Sequence, residues 1–287
     1  MRFLIQTAAV AALAISGVVA AGPALAQGAQ QGVDHTGVAA AAALDAALAA
    51  SLRGQDGARD SQRHPRETLT FFGVKPGQTV VDYMPSSGWY TRILVPYLGS
   101  GGTYVGLNPS VPEDATGWQA NMRGTKDKFP AQAAKWATGA KVIGANVGDV
   151  PENLTGQVDR ALIFREMHNI WRNDWLRSSL ADIRTMLKDD GLVGVVQHRA
   201  PSSAPASYTD GSKGYLREKD VVALFEAHGF DLVATSEINA NPKDPANWPN
   251  GVWTLPPSYG GATDETRPQL AEIGESDRMT LLFRKRP

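Results

Sequence analysis

The chain has 287 residues, no cysteine, and 28 lysines and arginines against 29 aspartates and glutamates. The absence of cysteine excludes disulfides, thiolate catalysis and cysteine-ligated metal, and the near-neutral balance argues against a nucleic-acid partner, which calls for a strongly basic surface. With 43% hydrophobic and 20% charged residues, the composition is globular, and the length suits one domain or two small ones.

Residues 1–26 read as a secretory signal peptide. Arg2 supplies the positive charge, residues 3–21 are apolar or small almost throughout, and Gly22-Pro23 precedes Ala24-Leu25-Ala26, a small-x-small cleavage pattern. The expectation is cleavage after Ala26 and a periplasmic or secreted product with no stable membrane insertion. No later stretch approaches the ~20 apolar residues of a spanning helix. Residues 27–59 are Ala- and Gly-rich and read as a linker or surface helix, with 38–52 as the helical part.

From residue 60 the pattern alternates. A helix over 67–72 stops at Gly73, and Pro76-Gly77 turns the chain into a β-branched strand over 79–83. A helix over 90–98 carries Ile93, Leu94, Tyr97 and Leu98 on one side, followed by a strand over 103–107. Residues 116–137 are largely helical, interrupted near Gly124 and Pro130. Strands follow over 141–145 and 158–164. A helix over 174–187 spaces Leu176, Leu180, Ile183 and Leu187 helically, with Asp190-Gly191 as its exit turn. A fifth strand covers 192–197, a helix 218–228, and the last two strands 230–236 and 279–284. Between those two lies a Pro-, Gly- and Trp-rich loop over 239–277, with no helix expected. The whole is an α/β fold: a Rossmann-like, seven-stranded, mainly parallel sheet with helices on both faces and an antiparallel last strand.

In such a sheet, ligands bind at the carboxyl ends of the strands. The residues there are 82–90 after the first strand, Asn108-Pro109, 146–151, 165–169 and His198-Arg199. Ser86, Ser87 and Gly88 are small enough to let backbone approach a ligand. A dinucleotide fingerprint would put glycines at 84, 86 and 89. Met84, Ser86 and Trp89 stand there instead.

This series resembles a class I S-adenosylmethionine-dependent methyltransferase over roughly residues 60–287, and within it the exported bacterial "predicted methyltransferases". The resemblance is carried by Arg63-His64-Pro65-Arg66-Glu67-Thr68, by Gly73-Val74-Lys75-Pro76-Gly77, by the run from Val80 to Thr91, by Met167-His168-Asn169-Ile170-Trp171 and by Asp277-Arg278-Met279-Thr280-Leu281. It implies S-adenosylmethionine as cofactor and a small-molecule methyl acceptor. It implies a cofactor site on Asp82, Tyr83, Pro85, Ser86, Ser87, Gly88, Trp89, Asn108, Asn146 and Val147. Asp82 stands at the acidic position. Met84 and Ser86 replace the first two glycines of the usual turn and Gly88 keeps the third. Asn108 and Asn146 replace acids that hold the ribose and the adenine.

Methyl transfer from a sulfonium is an in-line displacement that rests on positioning, and a base is needed only when the acceptor loses a proton. His168 is the first candidate, since it follows the fourth strand and titrates near neutrality. Asn169 orients substrate or caps the next helix, and His198 faces the same crevice from the fifth strand. Arg165 and Glu166 read as a mutual ion pair. Trp89 and Tyr90 lie against the cofactor or in the core; Trp248, Trp253 and Tyr259 form a lid or pin the late loop. No metal motif is present. Two alternatives stay open: a periplasmic binding protein on a methyltransferase scaffold with a degenerate cofactor site, and a cofactor-free enzyme using His168 and His198.

Overall fold

The computed structural model describes residues 35–287; the expected signal peptide lies outside them. The described chain begins with α1 (His35–Ala49), a 3-10 segment (Ser51–Arg59), α2 (Asp60–Arg63) and α3 (Pro65–Phe71). There follow β1 (Thr79–Tyr83), α4 (Thr91–Leu98), β2 (Thr103–Asn108), α5 (Gly117–Ala120), α6 (Thr125–Ala133), β3 (Lys141–Asn146), β4 (Val158–Phe164), α7 (Met167–Arg172), α8 (Leu176–Met186) and β5 (Leu187–Ala200). The chain ends with β6 (Leu216–Arg217), α9 (Glu218–Ala227), β7 (Phe230–Ser236), α10 (Arg267–Ile273) and β8 (Arg278–Lys285). Among the described residues, no single helix is long and apolar enough to cross a membrane.

The sheet order is β3-β2-β1-β4-β5-β8-β7, with β6 paired to the end of β5. Pairs among β1 to β5 are parallel; β8 lies between β5 and β7 and is antiparallel to both. The expected mainly parallel sheet is thus present, with eight strands rather than seven. The extra one, β6, is a two-residue pairing too short to show a period. The last two long strands pair antiparallel at one edge of the sheet, with β7 outermost and β8 between it and β5.

Two other expectations are corrected. Asp190-Gly191 is not an exit turn: β5 already pairs with β4 at Leu187↔Val158 and resumes at Leu192↔Arg160. The intervening residues bulge past Asp159, which accepts hydrogen bonds from Lys188 Nζ at 2.6 Å and Thr79 N at 2.8 Å. The 239–277 loop does contain a helix, α10, started by Pro268 in its first turn. The loop is pinned by buried Asp244, which accepts from Tyr215 Oη, Trp248 Nε1 and the Ala246 and Asp277 amides at 2.8–2.9 Å.

Strand alternation divides the core in two. Val81 and Tyr83 of β1, Val105 and Leu107 of β2 and Ala161 and Ile163 of β4 pack with α8 and α9. Val80, Tyr104, Leu162 and Phe164 point the other way, toward α1, α3 and α4. Asp82 lies on this second side, where Tyr104 reaches it, and Tyr83 on the first. Leu44 and Ala47 of α1 are buried in the second cluster.

Candidate functional site

The turn after β1 is the first wall of the site. Met84, Ser86 and Gly88 all have left-handed backbone, at φ 53°, 52° and 79°. A non-glycine residue pays for that conformation, and such cost persists where surroundings impose it. Gly88 has no alternative: a Cβ there would lie 2.3 Å from the Trp136 ring. Beneath the turn, Asp82 is 2% exposed. It accepts a hydrogen bond at 2.7 Å from Tyr104 Oη, which is itself linked to Thr91 Oγ1 at 2.9 Å. Burial raises the Asp82 pKa to about 7, against the lowering effects of Tyr104 and Arg165.

The second wall comes from the segment before residue 64. Asp56, Arg59 and Arg63 line the same cavity as Asp82, Ser86, Ser87 and Glu166. Arg63 and Arg278 are buried on Glu275: Arg63 Nε donates at 3.0 Å and Arg278 Nη1 at 3.0 Å, and Arg59 Nε adds a bond at 2.7 Å. Burial alone would raise the Glu275 pKa, but the guanidiniums outweigh it and hold it near 2. Trp89 is sandwiched by charge, with Arg63 Cζ 4.7 Å and Arg53 Cζ 5.2 Å from its ring centre. Its Nε1 donates to the Asp56 carbonyl at 3.2 Å. Tyr90 stacks on Phe164 with centroids 3.5 Å apart.

The ends of β4 and β5 supply the third wall. Arg165 is left-handed at φ 64°. It lines each of three adjoining cavities, one shared with Asp82, one with Glu275 and one with His168. The expected Arg165–Glu166 ion pair is absent among the described residues. Glu166 instead accepts from Asn169 Nδ2 at 2.6 Å, and burial lifts its pKa to about 7. The rings of His168 and His198 do converge, 5.8 Å between centroids. They are not the near-neutral bases the sequence suggests. Burial, then the Arg172 charge, lowers His168 to about 4; burial and His168 take His198 well below its ordinary value. Both are neutral imidazoles at pH 7. His198 Nδ1 shares a 2.5 Å hydrogen bond with Ser276 Oγ, whereas His168 Nδ1 and Asn169 Oδ1 are buried without partners. Trp253 faces this wall, 5.9 Å from the His168 ring.

The structure therefore gathers Asp82, Pro85, Ser86, Ser87, Trp89, His168, Asn169 and His198 along one crevice, with Gly88 shaping its turn. Three expected cofactor residues lie elsewhere. The Tyr83 side chain is in the core, with its hydroxyl 2.8 Å from Ser179 Oγ. Val147 is packed in the same cluster. The Asn146 amide is committed to loop structure, donating to Pro109 O at 3.0 Å and accepting from Lys126 N at 3.3 Å. Asn108 ends β2 with a buried Nδ2 that has no partner, a donor free for a hydroxyl. Sequence reasoning missed Arg59, Arg63 and Glu275, and undervalued Arg165 and Glu166. The Arg63-His64-Pro65 run was the available signal. The groups can bind an anion through guanidiniums and move a proton at Glu166.

No protein-family model matches the chain, and a search of curated proteins finds no match. Solved structures do match. A chain from the complex between the Haloferax volcanii Trm112 methyltransferase activator and the putative methyltransferase is 15% identical at a TM-score of 0.50, over 85% of this chain and 97% of that one. A SAM-dependent methyltransferase from Aquifex aeolicus is 17% identical at 0.46, over 66% and 92%. The Burkholderia thailandensis 1,6-didemethyltoxoflavin-N1-methyltransferase, solved with its substrate and S-adenosylhomocysteine, is 14% identical at 0.46, over 88% and 90%. The fold is the one seen in class I S-adenosylmethionine-dependent methyltransferases.

Proposed function

We propose that this chain is an exported class I methyltransferase that moves a methyl group from S-adenosylmethionine to a small-molecule acceptor. One observation carries the reading. Positions 84, 86 and 88, where the resemblance places the three turn glycines, keep left-handed backbone although two of them hold Met and Ser. The turn follows the left-handed path without glycine at two of the three positions, above a buried acid at 82. The crevice has groups that suit the cofactor: Ser86 and Ser87 at the turn, Asp82 below it, and Arg59 or Arg63 for the amino-acid carboxylate; at the end of the neighbouring strand β2, Asn108 Nδ2 is unspent for a ribose hydroxyl.

When bound, S-adenosylmethionine supplies an activated methyl group on a sulfonium. The chain's own part is positional and acid–base. Trp253 and the buried histidines line the far wall. Glu166, with its pKa near 7 and oriented by Asn169, takes the proton that an acceptor hydroxyl or amine releases. His168 and His198, being neutral, act as hydrogen-bonding walls rather than as the base.

The test is calorimetric titration of the purified chain with S-adenosylmethionine and S-adenosylhomocysteine. The expected result is micromolar binding, weakened by Asp82→Ala. A folded protein with no binding at millimolar cofactor refutes the reading. That outcome would favour a ligand-binding protein on this scaffold, which the internally committed Asn146 amide supports. Export is proposed from the N-terminal pattern, and cell fractionation with N-terminal sequencing checks it: a fragment beginning at Gln27 in the periplasm or medium is expected.

A further inference from the structure

The cavity on the β4–α7 wall is lined by Arg165, Glu166, His168, Asn169, Arg172 and the two indoles of Trp118 and Trp253. Two guanidiniums here lack a carboxylate. Arg165 makes no side-chain hydrogen bond or ion pair among the described residues, and the Arg172 contact is with the Trp253 ring, at 5.9 Å. Both lie close enough to His168 to oppose its protonation. With Glu166 as the acid in this lining, raised by burial to about 7, the wall has at least one positive charge in excess, and it keeps that excess even where Glu166 is ionised, so a negative charge on a ligand would be balanced there. Arg165 is half-buried and Arg172 exposed; a half-buried guanidinium without an acceptor is costly to keep, and a bidentate carboxylate is the partner its fork matches.

Two further features describe the rest of the ligand. His168 is only 5% exposed, yet its Nδ1 has no partner, and the Asn169 Oδ1 beside it is also orphaned. Unmade buried hydrogen bonds of this kind call for a polar group supplied from outside. Trp118, by contrast, is 45% exposed at the cavity mouth. Its position is fixed from below: Trp175 meets it edge-on at 5.9 Å, and Gln119 Nε2 ties α5 to Asn173 Oδ1 of the segment after α7 at 3.0 Å. A rigid indole with an open surface is a stacking platform for a flat ring.

We propose that this cavity is the acceptor subsite and that its ligand is a small aromatic monocarboxylate carrying a hydroxyl or amine. The carboxylate pairs with Arg165 and Arg172, the ring lies on Trp118, and the hydroxyl or amine meets His168 Nδ1 and Asn169 Oδ1. The acceptor role rests on the methyltransferase reading; the binding chemistry does not, and it can be measured without cofactor. The carboxylate chemistry has a second source, the amino-acid end of the cofactor itself, so the experiment must separate the two.

The experiment is calorimetric titration of the full chain with 4-hydroxybenzoate, 4-hydroxybenzamide and acetate, each with and without saturating S-adenosylhomocysteine. 4-Hydroxybenzoate is expected to bind at least roughly tenfold more tightly than the amide, which lacks the charge, and than acetate, which lacks the ring. Arg165→Gln and Trp118→Ala should each weaken it by about tenfold or more. Because these comparisons include three probes on the unaltered protein, they stand even if a variant misfolds. Binding that S-adenosylhomocysteine leaves intact or strengthens supports a separate acceptor subsite. Competition between the two overturns it and assigns the guanidiniums to the cofactor carboxylate. Equal binding of 4-hydroxybenzoate and 4-hydroxybenzamide also overturns it. If 4-hydroxybenzoate binds selectively but S-adenosylhomocysteine does not bind at all, the subsite stands and the methyltransferase reading falls.

Discussion

The sharpest test of the electrostatics is Asp82→Asn, followed as a function of pH. Asp82 is buried under the β1 turn with a single side-chain donor, Tyr104 Oη, and its pKa rises from 3.8 to about 7 on folding. Between those values the folded protein keeps a proton that the unfolded chain has released. Wild-type stability therefore falls as pH rises through this window, and the loss is complete once the folded group ionises. From pH 5 to pH 7 that is two units, or about 2.7 kcal/mol at roughly 1.36 kcal/mol per unit. Asparagine keeps the shape and an oxygen for Tyr104 but has no proton to lose. The contributions of Glu166, His168 and His198 are common to both proteins and largely cancel in the comparison. Urea unfolding at pH 5 and pH 8 should thus show Asp82→Asn gaining about 3 kcal/mol on the wild type between the two conditions. A constant offset between the proteins at both pH values would mean that Asp82 is already ionised at pH 5, and the buried-acid account would be wrong.

Four further substitutions test other parts of the site. Gly88→Ala places a methyl 2.3 Å from the Trp136 ring at φ 79°; overpacking and left-handed strain together should cost about 2–5 kcal/mol in chemical denaturation, and a loss under about 1 kcal/mol would contradict the packing. Glu275→Gln leaves Arg63 and Arg278 buried without their counter-ion and should destabilise by about 3–5 kcal/mol. The same carboxylate, held near 2, stabilises the wild type above about pH 4.5, and that stability drains away as pH falls through its folded value. Isotope-edited infrared spectra should show a protonated Glu166 carboxyl persisting to about pH 7 and vanishing in Glu166→Gln. Asn169→Ala should move that transition upward, because the Asn169 hydrogen bond favours the charged form, and an unmoved transition would remove Asn169 from its orienting role.

The strands were legible in the sequence because parallel strands buried on both faces are short apolar runs that stand out from their flanks. β1 is found at the expected residues, 79–83, and β4 at 158–164. What the sequence reading did not apply was the alternation within β1. Asp82 and Tyr83 are neighbours in the chain but face opposite layers, so one reaches the crevice and the other Ser179. β6 and α10 were missed for want of length, one being two residues and the other seven.

The chemistry of the site was less legible, and for a different reason. Arg63 meets Glu275 across 212 positions of chain, and no local pattern signals such a pairing. The Ala- and Gly-rich composition of residues 27–59 reads as a linker or surface helix and gives no sign that Asp56 and Arg59 line the cavity. Adjacency misled at Arg165-Glu166, where the acid bonds to Asn169 and the base to no carboxylate. Histidine type misled at 168 and 198, where burial decides the proton. These errors share a cause. Each group takes its charge state from walls contributed by distant segments, so the ionisation of the crevice is a property of the fold. With Asp82 and Glu166 raised to about 7, His168 lowered to about 4 and His198 neutral as well, the fixed charges of the crevice between those values are its guanidiniums and the Glu275 carboxylate, held near 2. A ligand entering there meets a positive field that the near-neutral composition of the chain conceals.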